Sequence, residues 1–324
     1  MNSFSSSPTD FDKKALTLFR KQATENDFYR RFLEILKVQP QNIDQVSNIP
    51  FLPVQLFKHN EIKTGDWLEQ NVFLSSGTTL HTRSRHFVKD EQKYLRNAAT
   101  GFKEVFGNPS EWNIIACLPG YSDNPSSSLI SMVHYLIGLS GNIQSGFIPF
   151  EHETIKHKLK ECIKSSKKTM LIGVAFALAD FALCNKVEYA DLYILETGGM
   201  KGRGEDFTRK ALHTLLSDSF GTAHIFSEYG MTELFSQAYT MAGTDRFKCM
   251  PSMKILVKDI NDPMEIKRNG RYGAIHIIDL ANEDTCAFIA TQDLGLLHDD
   301  DSFEVIGRID SADLRGCNLL YIAP

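Results

Sequence analysis

A chain of 324 residues, 42% hydrophobic and 23% charged, exceeds what one core ordinarily supports and has ample apolar material to enclose a ligand cleft. Its formal charge of −5, with Lys and Arg scattered rather than striped, excludes a phosphate-backbone footprint, so no nucleic acid is expected as partner. Six cysteines without a C-x-x-C pair, no charged-then-apolar leader and no apolar run of about 20 residues predict a reduced, cytoplasmic protein with no integral membrane segment.

The polar start running to Asp10 offers a helix cap, and Leu16, Phe19, Phe28, Phe32 and Ile35 recur behind it at roughly helical spacing, predicting one or two opening helices. Pro50 and Pro53 break that pattern and force an extended crossing. Short apolar or β-branched runs at 113–118, 169–174, 191–196 and 223–229 alternate with helical stretches such as 129–139 and 207–216. Such alternation predicts a parallel sheet covered by helices. The most apolar stretch, 170–184, carries Asp180 and reads as a buried element. Beyond about Met250 the runs at 253–258, 274–279, 286–290 and 303–306 are joined by turns, predicting a β-rich subdomain. The expected organisation is an α/β core with N-terminal helices, residues 1–250, and a β-rich subdomain, residues 251–324.

Ser75-Ser76-Gly77-Thr78-Thr79 follows a strand-like run at 71–74 and packs four hydroxyls and a glycine into one turn. Hydroxyls and backbone N–H groups in such a loop can surround phosphate oxygens, although a solvent-exposed Ser/Thr turn has the same composition. Further along stand Glu228-Tyr229-Gly230-Met231-Thr232-Glu233, Thr291-Gln292-Asp293-Leu294-Gly295 and Gly307-Arg308-Ile309-Asp310, each placed in a loop after an expected strand. A nucleotide site needs a phosphate loop, a carboxylate for Mg²⁺, an aromatic face for adenine, and a carboxylate with a nearby cation for the ribose. Neither the dinucleotide nor the P-loop glycine pattern occurs.

In this order, the four segments are similar to core motifs of the adenylate-forming superfamily. Ile49-Pro50-Phe51-Leu52-Pro53-Val54, Leu118-Pro119-Gly120-Tyr121, Gly173 through Leu178 and Glu196-Thr197-Gly198-Gly199-Met200-Lys201-Gly202 resemble its acyl-protein synthetase (LuxE-type) branch, so the resemblance covers nearly the whole chain. It implies the α/β fold of an adenylate-forming N-terminal domain, a helix-covered parallel sheet with a C-terminal β-rich subdomain and no swivelling C-terminal domain. It also implies an AMP-forming acyl ligase using ATP and Mg²⁺. Carried over, Ser75, Ser76, Gly77, Thr78 and Thr79 hold the ATP phosphates, Tyr229 stacks on adenine with Gly198 and Gly199 beside it, Thr232 contacts phosphate, and Glu233 binds Mg²⁺. Asp293 bonds the ribose hydroxyls and Arg308 closes on ribose or phosphate. Taken singly, Tyr229 also reads as a packed aromatic, Glu233 as a helix-terminal carboxylate, and Asp293 with Arg308 as a surface pair.

Two departures stand out. Leu80 replaces the usual glycine and the lysine that often follows is missing; His81, Arg83, Arg85 and His86 either supply positive charge or form a solvated basic turn. The chain also ends soon after Gly307-Arg308, where the wider superfamily continues into a domain bearing a catalytic lysine, so adenylation is expected to find its cation elsewhere. The resemblance implies that a cysteine near the C-terminus accepts the acyl group. Cys317, beside Arg315, fits that role, with a small buried cysteine as the alternative; Cys117 and Cys286 read as core.

The expected reaction is activation of a carboxylic, fatty acid as acyl-adenylate and its transfer to a thiol, on Cys317, CoA, an acyl carrier protein or a partner reductase. The competing readings are an aryl-acid CoA or carrier-protein ligase resembling phenylacetate-CoA ligase, and a non-catalytic nucleotide- or acyl-binding subunit. His152, Glu153 and His157 miss the spacing of a helical zinc motif by one residue, and Ser126-Ser127-Ser128 reads as a helix cap rather than a nucleophile.

Overall fold

The computed structural model describes residues 9–75, 83–119, 126–198, 207–267 and 269–309. The chain divides into two compact units, Met1–Leu68 with Ser252–Pro324, and Glu69–Pro251. Helix α1 (Asp10–Glu25) begins at a capping box, in which the Thr9 hydroxyl accepts from Asp12 N–H at 3.2 Å and the Asp12 carboxylate accepts from Thr9 N–H at 3.4 Å. Asn26 ends α1 and caps α2 (Asp27–Ile35) by accepting from Tyr29 N–H at 2.9 Å. The inward face of α2 carries Tyr29 and Leu33, whereas Ile35, part of the expected apolar spacing, is 78% exposed. After Pro50 the chain extends into β1 (Leu52–Pro53).

The second unit opens with an antiparallel hairpin, β2 (Asn71–Leu74) and β3 (Arg85–Val88), followed by α3 (Glu91–Phe106). It continues through β4 (Trp112–Cys117), α4 (Ser128–Ser140), β5 (Gly146–Phe147), α5 (His152–Ile163), β6 (Lys168–Val174), α6 (Ala175–Cys184), β7 (Leu192–Thr197), α7 (Arg209–Phe220) and β8 (His224–Tyr229). Two short strands, β9 (Ala238–Thr240) and β10 (Phe247–Cys249), close it. Its sheet runs β5-β4-β6-β7-β8-β9-β10, parallel as far as β8 and antiparallel beyond. The parallel strands are near-continuous apolar runs because both faces are covered. One face packs Ile115, Leu171, Ile194 and Ile225 against Leu159, Phe181, Leu216 and Phe220 of the flanking helices. Trp112, Tyr193 and Phe226 point the other way, where Phe106 lies 6.4 Å from Trp112 and 5.2 Å from Phe226. The expected apolar stretch 170–184 is thus a buried strand running into α6, and no helix among the described residues is long and apolar enough to cross a membrane.

The first unit resumes with an antiparallel meander, β11 (Met253–Lys258), β12 (Tyr272–Asp279), β13 (Phe288–Leu297) and β14 (Phe303–Arg308), with β1 adding in parallel to β13. The opening helices group with this meander, although the sequence placed them with the α/β core. Their partners explain why: Phe19 lies 5.8 Å from Phe288, and the buried Gln22 donates to Asn282 O at 2.9 Å while accepting from Ala287 N–H at 2.9 Å.

A second difference concerns β13, expected to end at residue 290. It runs on through Thr291-Gln292-Asp293-Leu294-Gly295, which is strand rather than loop, as is Gly307-Arg308 in β14. The strand continues because β12 and β14 both pair with it there, and the pairing with β14 shifts between Leu294 and Gly295. A Cβ on Gly295 would lie 2.1 Å from the Glu304 carbonyl oxygen, so glycine is required by close backbone approach. Cys117 and Cys286 are core, at 1% and 0% exposure, and burial pushes both thiols up to about 12.

Candidate active site

In the unit Glu69–Pro251 the carboxyl ends of the parallel strands open on a crevice of about 260 Å³. Leu118 and Pro119 after β4, Val174 at the end of β6, and Thr197 with Gly198 at the end of β7 form one side; the start of α4 and the turn Gly230-Met231-Thr232 form the rest. Carboxyl strand ends are where open α/β sheets bind ligands, since the sheet there lacks a helical cover. Ser127 caps α4, its hydroxyl accepting from Ile130 N–H at 3.5 Å. Gly198 adopts φ +72° with no atom within 4 Å of a would-be Cβ, so its backbone turns and stays open. At Gly230 the reason for glycine is different: a Cβ would lie 2.4 Å from Glu228 Oε1.

Glu228 therefore reaches into the crevice beside its own motif. Thr197 Oγ1 donates to its carboxylate at 2.5 Å, yet burial, helped by nearby Glu196, pushes the Glu228 carboxyl up to about 7. Glu196 lies toward α7, 3.7 Å from His213 Nε2 and 3.9 Å from Arg209 Nε. Gln237 also lines the crevice, at 3% exposure, and its Oε1 has no hydrogen-bond partner among the described residues. Composition and motif spacing had singled out neither Glu228 nor Gln237 for a role.

The hairpin carrying the expected phosphate loop is tied to the same turn. His86, wholly buried, donates from Nδ1 to the Thr232 carbonyl at 2.7 Å and packs its ring 4.8 Å from Phe235. The expectation of a solvated basic turn thus fails for His86, which the pairing of Phe73 with His86 across the hairpin turns inward; Arg83 and Arg85 are exposed. Ser75 pins the base of the loop, its N–H donating to Ser84 O at 3.1 Å and its Oγ accepting from Ser84 N–H at 2.9 Å, which leaves its O–H as the group that can meet a phosphate. Tyr229, at 9% exposure, packs its ring 5.8 Å from Phe247, and Thr232 lines the crevice while the next residue, Glu233, is buried.

In the other unit, Asp293 and Arg308 are cross-strand partners of β13 and β14, with Arg308 Nε 3.4 Å from Asp293 Oδ1. The carboxylate is mostly buried and receives its local geometry from Thr291, whose Oγ1 accepts from Asp293 N–H at 3.0 Å; the Arg308 side chain is 73% exposed. The pair is therefore formed, with a fixed anion and a reaching cation. Ser76, Gly77, Thr78, Thr79, Gly199 and Cys317 lie outside the described residues.

Among the described residues no group of three or more His, Cys, Asp and Glu stands ready to hold a metal alone. Mg²⁺ bound with a nucleotide uses one or two carboxylates and completes its octahedron with phosphates and water, so no all-protein cage is needed; Glu233, a buried carboxylate, follows the crevice-lining Thr232.

A family model for acyl-protein synthetase, LuxE, matches residues 3–322. No curated protein matches the sequence significantly. Among solved structures, the chain is similar to an open conformation of 2-hydroxyisobutyryl-CoA ligase in complex with 2-HIB-AMP and CoA, at TM-score 0.67 and 13% identity over 92% of this chain and 69% of that one. The same ligase in its postadenylation state with R3-HIB-AMP gives TM-score 0.66 and 14% identity, over 96% and 72%. ATP-bound MatB from Rhodopseudomonas palustris gives TM-score 0.53 and 15% identity over 73% of this chain and 47% of that one, so the chain spans about half the length of MatB. At such identities the likeness is one of fold, that of the adenylate-forming ligases. With a helix-covered sheet of that fold and a family match over nearly the whole sequence, the chain belongs to the acyl-protein synthetase, LuxE, family.

Proposed function

We propose that the chain activates a carboxylic acid with ATP as an acyl-adenylate and passes the acyl group to a thiol as a thioester. In the first step a carboxylate oxygen attacks the α-phosphate in line and the bond to pyrophosphate breaks. In the second a thiolate attacks the acyl carbonyl, and the C–O bond to AMP breaks with AMP leaving. The observation that carries this reading is the convergence of Gly198, Gly230 and Thr232 on one crevice at the strand ends, with Thr232 held by His86 from the hairpin of the Ser/Thr loop.

Thr232 and the hydroxyls of Ser75, Ser76, Thr78 and Thr79, with Gly77 allowing close approach, hold the phosphates. Tyr229 would stack on adenine, with Gly198 and Gly199 beside the base. Asp293 takes the ribose hydroxyls and Arg308 reaches for ribose or phosphate. Glu233 would hold Mg²⁺, which supplies charge neutralisation at the phosphates. Cys317 is the proposed thiol, with CoA, an acyl carrier protein or a partner reductase as acceptors beyond it. Leu118, Ile130, Met132, Val174 and Met231 line the crevice with apolar surface, which suits a fatty acid.

The test is acid-dependent exchange of labelled pyrophosphate into ATP, with fatty and aromatic acids, on wild type, Glu233→Ala and Cys317→Ala. Exchange in wild type and Cys317→Ala, reduced at least a hundredfold in Glu233→Ala, is expected. Loss of covalent acyl label in Cys317→Ala alone identifies the acceptor. ATP binding with no exchange for any acid would leave a nucleotide-binding subunit instead.

A further inference from the structure

The crevice is lined by apolar and polar side chains together. Two of the polar side chains have few side-chain partners among the described residues. Gln237, at 3% exposure, makes no side-chain hydrogen bond among the described residues; its Oε1 is sealed from water, so its N–H₂ is the group left to meet a ligand. The Glu228 carboxyl lines the same crevice and accepts one side-chain hydrogen bond among the described residues, from Thr197, which leaves it further lone pairs. Buried amides in native proteins are nearly always satisfied, and a site that leaves one unmet is typically completed by a ligand group. An amide N–H₂ beside a carboxylate complements a hydroxyl, which accepts from the one and donates to the other, or an N–H, which donates to the carboxylate. Glu228, when ionised, disfavours a second anion beside it, and the substrate carboxylate and the phosphates are assigned to Thr232 and the Ser/Thr loop.

We propose that the acid carries a hydroxyl or N–H group on its tail, held in the crevice by Gln237 and Glu228, so that this chain selects hydroxylated or nitrogen-bearing acids over plain alkyl acids. This rests on the adenylation reading and narrows its substrate class. Gly230 belongs to the same arrangement, because only a residue without Cβ leaves Glu228 its position. A site built to bond a substrate hydroxyl or N–H discriminates strongly against the analogue lacking it, since that analogue leaves the protein groups buried and unpaired.

The experiment compares acids of equal chain length, unsubstituted or with a hydroxyl or amino group at successive carbons, by kcat/KM for pyrophosphate exchange in wild type, Gln237→Leu and Glu228→Gln. Wild type should favour one substituted acid at least tenfold over its plain counterpart. Gln237→Leu should erase most of that preference. Glu228→Gln, which preserves shape, should lower the preference for an amino-bearing acid more than for a hydroxylated one, and it keeps the test open should Gln237→Leu fail to fold.

A wild type that prefers plain acids overturns the proposal. So does an equal loss for every acid in Gln237→Leu with a raised KM for ATP, which would assign the amide to the adenine amino group. Melting shifts with the acids alone separate the two readings. Selective stabilisation by a substituted acid without exchange would support the pocket and sink adenylation, and exchange without selectivity would do the reverse.

Discussion

Glu228 is raised to about 7 from an ordinary value of 4.5, so between those values the folded chain binds more protons than the unfolded one. Stability then falls as pH rises through that window. Glu228→Gln should melt above wild type at pH 8, by on the order of 1–2 kcal/mol given the carboxyl's partial opening to the crevice, and should show no advantage at pH 4. Thermal melts at the two values check the sign. His86→Ala removes the bond from the hairpin to Thr232 and leaves a carbonyl unmet; a loss of about 1–3 kcal/mol by urea titration and about tenfold in exchange is expected. The sequence showed that Arg83, Arg85 and His86 were basic. It did not show that His86 is buried, because pairing across the hairpin, not charge, decides which way each side chain points.

Among the elements, β13 shows where local pattern stops short. The apolar run around 286–290 was legible, while Thr291 to Gly295, polar in composition, read as loop. Ladder bonds to β12 and β14 hold it as strand, and Gly295 is the residue that lets the backbones approach. Gly295→Ala should therefore destabilise by about 3 kcal/mol, since the obstructing atom is backbone and cannot yield. Gly198→Ala, with open space around it, should lose only about 1–2 kcal/mol from its left-handed backbone. Parallel denaturant titrations of the two variants check the order. The reversal of that order would mean that the β13–β14 approach is looser than the structure has it.

At the scale of the whole molecule, the nucleotide residues assigned by resemblance make one further prediction. ATP with Mg²⁺ at about a hundred times its Kd should raise wild-type stability by about 2.7 kcal/mol. Asp293→Asn, which weakens both the pair with Arg308 and any bond to ribose, should show a clearly smaller rise in Tm at the same nucleotide concentration. By itself the sequence determined the parallel sheet, the β-rich meander and the order of the nucleotide motifs. Those depend on local periodicity and on residue types, glycine, hydroxyl and carboxylate, that carry their chemistry with them. Only the tertiary structure decided which of them meet. Apolar spacing states that a face is buried, not against what, so it could not place Gln22 on Ala287, 265 residues away, nor His86 on Thr232, 146 away. Nor could it bring Gln237 and Glu228 to one crevice, since that depends on how β8 and β9 turn back on each other after the motif.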